Sequence, residues 1–153
     1  MKVITERPSY GNDAPAVDKF SLPNGIVGFP DYTQAELLRD QDGHPFMRMR
    51  LRNEKECISF VVMEPGGLIP GYEPELFDND AASLELGDSS EAMILTILTM
   101  RPGTPEEATV NLIGPIVVNR RTRIGRQLVI ANYSLYRARH PLIAPSKAEV
   151  GPS

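Results

Sequence analysis

Met93-Ile94-Leu95-Thr96-Ile97-Leu98-Thr99-Met100 is an unbroken run of apolar and β-branched residues. It has the length of a strand and falls far short of the roughly 20 apolar residues that a membrane-spanning helix needs. It reads as a core strand. The apolar runs 60–63 and 112–118 are also strand-sized. A chain whose longest apolar stretches are all of this kind builds its core from sheet.

Working back from that run, 58–63 is nearly all apolar and reads as a central strand. Residues 46–51 alternate Phe46, Arg48 and Arg50 with Met47, Met49 and Leu51, the period of a half-buried strand. Asp40-Gln41-Asp42-Gly43 suits a reversal, and 33–38 a short helical turn. Leu22-Pro23-Asn24-Gly25-Ile26-Val27-Gly28-Phe29 is a glycine-hinged loop, because Asn-Gly tolerates positive φ. Residues 1–17 are polar and proline-interrupted, with at most a short edge strand at 2–5.

Forward of the run, Thr104-Pro105-Glu106-Glu107 has the cap residue, proline and acids of a brief helical turn. Residues 109–113 and 116–118 are strand-like around Gly114-Pro115, and 126–131 returns as another strand. Together they form a hairpin with an arginine-rich connection over 119–125. Residues 79–86 suit one short helix ended by a left-handed Gly87, with Ser89 or Ser90 capping a further turn. The whole predicts a mostly β chain: a single antiparallel β-barrel-like domain over 1–143 with a few short helical turns, and a frayed tail over 144–153.

Of the 153 residues, 41% are apolar, enough for one proper core. The net charge of −4 argues against a general nucleic-acid binder, which needs a basic footprint. Charge is uneven: residues 1–100 hold 8 Lys/Arg against 17 Asp/Glu, and 101–153 hold 8 against 3. The opening residues meet polar side chains at once, so a cytoplasmic protein without a signal peptide or membrane contact is expected. The single cysteine, Cys57, reads as a small buried hydrophobe rather than a nucleophile. The two histidines, His44 and His140, both precede proline and fall in loops. No phosphate-cradling loop, metal-ligand cluster or nucleophile elbow occurs. No cofactor is therefore expected.

Three features remain. Residues 73–91 hold seven acids, Glu73, Glu75, Asp78, Asp80, Glu85, Asp88 and Glu91, and no Lys or Arg. They read as a solvated face or as a docking surface for a basic partner. Arg120, Arg121, Arg123 and Arg126 lie on or beside one loop, equally a solvated hairpin tip or a binding loop. Leu68-Ile69-Pro70-Gly71-Tyr72-Glu73-Pro74-Glu75-Leu76 sets apolar groups on stiff prolines beside acids, which suits a pre-organised rim. Tyr72 fits an exposed anchor there, and Leu76 a core plug; that Ile69, Tyr72 and Leu76 together plug a barrel end stays open.

At this point the chain resembles a family. Leu22-Pro23-Asn24-Gly25-Ile26-Val27-Gly28-Phe29, Phe60-Val61-Val62-Met63-Glu64-Pro65, Tyr72-Glu73-Pro74-Glu75-Leu76 and Asn111-Leu112-Ile113-Gly114-Pro115-Ile116-Val117-Val118-Asn119 are similar to motifs of the flagellar assembly factor FliW family. Arg123, Gly125 and Gln127 follow in its R-x-G-x-Q pattern, and Tyr133 with Arg139-His140-Pro141-Leu142 in its C-terminal end. The likeness runs over about 20–143. Tyr10-Gly11-Asn12-Asp13-Ala14-Pro15 departs from the family's opening strand, as do Leu22 and Pro30 from its usual residues.

The resemblance implies a cytoplasmic, non-enzymatic barrel-like protein that binds flagellin and the RNA-binding translational repressor CsrA. Free flagellin would hold it; flagellin export would release it to antagonise the repressor. Candidate partner contacts are Tyr72, Glu73, Glu75, Asp78, Asp80, Phe29, Asn119 and Arg123, with the acids meeting the basic repressor. A monomer is expected. The rival reading is a small β-barrel that binds a small-molecule cofactor or acts as an enzyme, which would need convergent polar side chains inside the barrel. An oligonucleotide-binding barrel would need aromatic stacking platforms on its strands, and only 7% of residues are aromatic.

Overall fold

The computed structural model describes residues 1–5, 17–39, 45–101 and 103–142. Its strands are β1 (Lys19–Ser21), β2 (Gln34–Arg39), β3 (Phe46–Arg52), β4 (Cys57–Met63), β5 (Ala92–Arg101), β6 (Thr104–Val110), β7 (Ile116–Asn119), β8 (Gly125–Gln127) and β9 (His140–Pro141). Helical structure among the described residues is one short helix, α1 (Asp78–Ser83), and two 3-10 turns at Ser89–Glu91 and Tyr133–Leu135. The chain is mostly antiparallel sheet with short helical turns, as its strand-sized apolar runs predict.

Strands β1 to β5 pair antiparallel in sequence order. β5 then takes two further partners, β7 along its first half and β6 along its second. β7 pairs β8, and a single parallel bridge joins Ser21 to Ile124. There the Ser21 N–H donates to the Arg123 carbonyl at 2.9 Å. The sheet thus curls round toward closure, and its last seam is one bridge wide. β6 and β9 extend from β5 outside that ring.

β5 explains the shape of the core. Met93 and Leu95 pack with Leu22, Met49, Leu51, Val62, Ile116 and Val118 inside the barrel. Ile94 and Leu98 pack with Met63, Ile69, Tyr72, Leu76, Leu112 and Ile130, beneath the long connection between β4 and β5. A strand covered on both faces has no polar alternation, and β5 shows none over its apolar stretch. Thr96, fully buried, donates its hydroxyl to the Met63 carbonyl at 3.0 Å.

Several local expectations are overturned by tertiary pairing. Residues 33–38 are not helical: Gln-Ala-Glu-Leu-Leu-Arg favours helix, yet β2 is laddered to β1 on one side and β3 on the other. Thr104 to Glu107 belong to β6, where Pro105 falls beside the register shift between Thr99 and Arg101. A missing N–H breaks no regular ladder there. Helix α1 ends early, in a left-handed Glu85 (φ 57°) rather than Gly87, with the Leu86 N–H reaching back to the Ala81 carbonyl. The following turn is capped by Asp88, whose Oδ1 accepts from the Ser90 N–H at 2.7 Å.

The strand predicted over 109–113 stops at Val110, because Asn111 Oδ1 accepts the N–H groups of Ile113 and Gly114 and folds the chain into a turn. The strand predicted over 126–131 stops at Gln127; Leu128 and Ile130 then donate to the carbonyls of Pro115 and Ile113. Cys57 is exposed at the start of β4, opposite Arg52, and is not a core residue. His140 lies in β9 rather than a loop. The 40–43 reversal, His44 and the tail over 144–153 lie outside the described residues. No helix among the described residues is long and apolar enough to cross a membrane.

Candidate protein-docking face

The arginine loop and the acidic connection, 30 to 60 residues apart in sequence, lie against each other. Arg126 meets Asp80 at 3.7 Å, Arg121 meets Glu91 at 3.4 Å, and Arg120 meets Glu64 at 3.7 Å. Asn119 latches the two together. It is fully buried, its Nδ2 donates to the carbonyls of Leu84 (2.7 Å) and Glu85 (3.2 Å), and its Oδ1 accepts the N–H groups of Arg121 and Thr122. Its side chain is thus spent inside the protein. Arg123 takes φ 61° at the loop's exit and donates its Nε–H to the Arg120 carbonyl, so this exposed residue shapes the loop.

Glu64 and Arg120 form the most buried of these pairs, with side chains 13% and 16% exposed. Burial pushes the Glu64 carboxyl above its ordinary value, and the Arg120 charge offsets part of that rise. Burial likewise lowers Arg120, against the pull of Glu64. For both partners, desolvation outweighs the attraction.

Tyr72 is not exposed. Its ring is fully buried, packed edge-to-face on Tyr136 at 4.9 Å, and its hydroxyl donates to the Leu112 carbonyl at 2.7 Å. Burial raises its pKa well above the ordinary phenol. Tyr72, with buried Ile69 and Leu76, therefore fills the outer core beneath the connection, neither a rim anchor nor a plug in a barrel end.

What Tyr72 supports from below is a face made of three segments centred on Glu75. Glu75 bridges Lys2 on one side; on the other its carbonyl accepts from Ala131 and its N–H donates to Asn132 Oδ1. Tyr136 adds a hydroxyl that accepts the Glu73 N–H and donates to the Gly71 carbonyl. On these segments stand exposed apolar side chains: Ile4, Phe77, Val129, Tyr133 and Leu135, from 46% to 72% exposed. Glu73, Glu75 and Asp78 stand among them. Lys2 lies 3.9 Å from Glu73, and the N-terminal amine 3.9 Å from Asp78, whose carboxylate is fully exposed. Apolar groups within an acidic surround are the composition of a protein interface. Of the sequence candidates, Glu73, Glu75, Asp78 and Asp80 share this side of the molecule. The apolar partners escaped sequence reading, although alternation of buried Leu128 and Ile130 with Val129 marks the latter as outward.

Phe29 stands apart. Gly25 (φ 61°) makes the loop possible, since a Cβ there would overlap the Phe29 carbonyl oxygen. The loop presents Phe29, 36% exposed, edge-on to Tyr32 (5.8 Å) and Phe60 (5.6 Å). The Val27 N–H donates to Gln127 Oε1 at 2.8 Å, so this loop and the R-x-G-x-Q segment meet at a cleft of about 300 Å³. Val27 is 83% exposed there. No group of three or more His, Cys, Asp or Glu side chains is arranged to hold a metal among the described residues.

Comparison with known proteins places these features in a family. The FliW protein family model matches residues 9–142. The flagellar assembly factor FliW of Natranaerobius thermophilus is 35% identical over 143 residues, 93% of this chain and 92% of that protein. That of Clostridioides difficile strain 630 is 35% identical over 127 residues, 82% of this chain and 94% of the relative. A crystal structure of the flagellar assembly factor FliW matches with a TM-score of 0.70 at 29% identity, covering 93% of this chain and 96% of its own. With the family pattern matched over most of its length and a curled antiparallel sheet in common with a solved member, this chain belongs to the FliW family.

Proposed function

We propose that this chain is a cytoplasmic flagellar assembly factor that works by binding proteins and not by catalysis. It binds flagellin, and it binds the translational repressor CsrA when flagellin is exported, so that flagellin level sets flagellin translation. Membership of the FliW family supports the flagellar role. The observation that carries the mode of action is the face centred on Glu75, where Ile4, Phe77, Val129, Tyr133 and Leu135 stand exposed among acids. Apolar groups there supply affinity, and Glu75 and Asp78 select a basic partner such as an RNA-binding protein. Glu73 and Asp80, each near an internal cation and only partly exposed, contribute less than Asp78, whose carboxylate is fully exposed although the N-terminal amine lies 3.9 Å away. Tyr72 and Asn119 hold the face in shape from beneath, while Phe29 and Arg123 belong to the neighbouring loops.

Two ligands that exclude one another need only relative affinities and concentrations to form a switch. The test is calorimetric titration of the purified chain with flagellin and with the repressor, separately and then in competition. Each should bind alone, and flagellin should displace the repressor. Paired Glu75→Lys and Asp78→Lys changes should abolish repressor binding while leaving the fold intact; unaltered repressor affinity in that variant sinks the proposed face.

A further inference from the structure

We infer that the outward face of β3 is a second docking surface, built for an acidic protein segment in extended form. Along β3, Met47, Met49 and Leu51 turn into the barrel core, so Arg48, Arg50 and Arg52 project outward in one file. Positions two apart on a strand are about 7 Å apart, so three guanidiniums span about 14 Å. Their cross-strand neighbours are small or uncharged: Val61, Ser59 and Cys57 on β4, Leu38 and Gln34 on β2. The exception is Glu36, which faces Arg50 and has Lys19 on its other side. Among the described residues none of the three arginines has an ion-pair partner, whereas Arg120, Arg121 and Arg126 are all paired internally. Each thus offers a fork of N–H donors to whatever lies on the sheet.

At its Arg52 end the file opens into a cleft of about 620 Å³, lined by Arg52 and Lys55 with Asp31, Gln34, Asn53 and Glu54. An extended peptide repeats its side chains at the same pitch of about 7 Å per two residues, so carboxylates at alternate positions match the file. A planar carboxylate also accepts the guanidinium fork bidentately. A nucleic acid fits less well. Among the described residues the aromatic side chain on this face is Phe46, which is half-buried against the outer core rather than open to stack a base. Glu36, Asp31 and Glu54 repel any anion, but a peptide with spaced carboxylates can set neutral residues against them where a phosphate at every nucleotide cannot. In the sheet order β4 lies between β3 and the β5 that the connection covers. The acids of that connection that form ion pairs with arginine meet Arg120, Arg121 and Arg126 rather than the β3 file, so this inference stands apart from the acidic face and the function proposed for it.

The experiment is amide NMR of the full chain, titrated at low salt with a ten-residue peptide of alternating Glu and Ser, with an alternating Lys–Ser peptide as control. Shifts should centre on residues 48–52, 57–59 and 34–36. Arg50→Ser should weaken the acidic peptide about tenfold, as loss of one charge-assisted pair implies, without changing the melting temperature. Arg121→Ser should leave peptide affinity unchanged. No shifts with excess peptide, or shifts centred on 120–126, overturn the proposal. So does tighter binding of a ten-residue oligothymidylate to the same face. Concentration-dependent self-association abolished by Arg50→Ser would assign the face to a second copy of the chain and would likewise overturn it.

Discussion

Two regions of this molecule are rich in arginine, and they differ in what their charges meet. The loop after β7 and the β8 strand it leads into carry Arg120, Arg121 and Arg126, each within 4 Å of an acid from the connection that covers the outer core. The outward file on β3 carries Arg48, Arg50 and Arg52, whose charges face solvent. In sequence the loop has the look of a binding element and the strand that of mere scaffold. Spatial pairing reverses the two: the loop's charges are consumed in holding one layer of the protein to another, and the strand's remain on offer. A run of like charge therefore marks an interface only where the fold has not already matched it.

That contrast is exposed to measurement, most severely at the latch beneath the loop. Asn119→Ala strips four hydrogen bonds and leaves the buried Leu84 carbonyl at the α1 end without its donor, so it should cost about 3 kcal/mol in urea unfolding. A loss near zero would mean that the loop is not fastened to the outer layer. Arg120→Ala should cost about 2 kcal/mol at neutral pH, since it leaves the Glu64 carboxylate buried and unmatched.

The pH dependence of that loss has a definite sign. Folded Glu64 holds its proton above the ordinary 4.5, so its contribution is full below that pH and is lost as pH rises through the folded value. Removing Arg120 takes away the charge that limits the rise. The deficit relative to the parent should therefore shrink in melts near pH 4.5, and Glu64→Gln should recover part of it at neutral pH. A deficit that grows on acidification refutes the pairing. Tyr72→Phe should cost about 1 kcal/mol, because the Leu112 carbonyl loses its buried donor. Smallest, Arg126→Ser should cost about 0.5 kcal/mol, as partly exposed pairs do, and Arg48→Ser less than that. If Arg48→Ser destabilises more than Arg126→Ser, the two arginine regions have been assigned the wrong way round.

The sheet was legible wherever burial alone decides a strand. Met93 to Met100 and the alternation from Phe46 to Leu51 announce themselves, because apolar content and period are local properties. Gln34 to Arg39 did not, since the ladder to β1 and β3 overrides a helix-favouring composition that is all a local reading can weigh. The candidate site was less legible still. Proline-flanked Tyr72 has the same local signature whether its hydroxyl faces water or a carbonyl 40 residues away. The acids of 73–91 look unopposed until Arg121 and Arg126 are folded onto Glu91 and Asp80. Family motifs located the chain among its relatives, yet several of their most distinctive residues, Gly25, Tyr72 and Asn119 among them, turn out to specify shape.

The placement of β5 between two cores has a consequence for how this sequence can change over time. Most strands offer drift a permissive side, where substitutions go unnoticed by the interior. Over its apolar stretch β5 has little such side: odd positions such as Met93 and Leu95 answer to the barrel, and even positions such as Ile94 and Leu98 to the outer layer. A volume change at Leu95 and one at Ile94 would be felt by different sets of neighbours, so compensation for one does nothing for the other. Variation in this segment should accordingly be conservative and should travel in two independent groups of covarying partners, one with β3, β4 and β7 side chains and one with the connection that carries Tyr72.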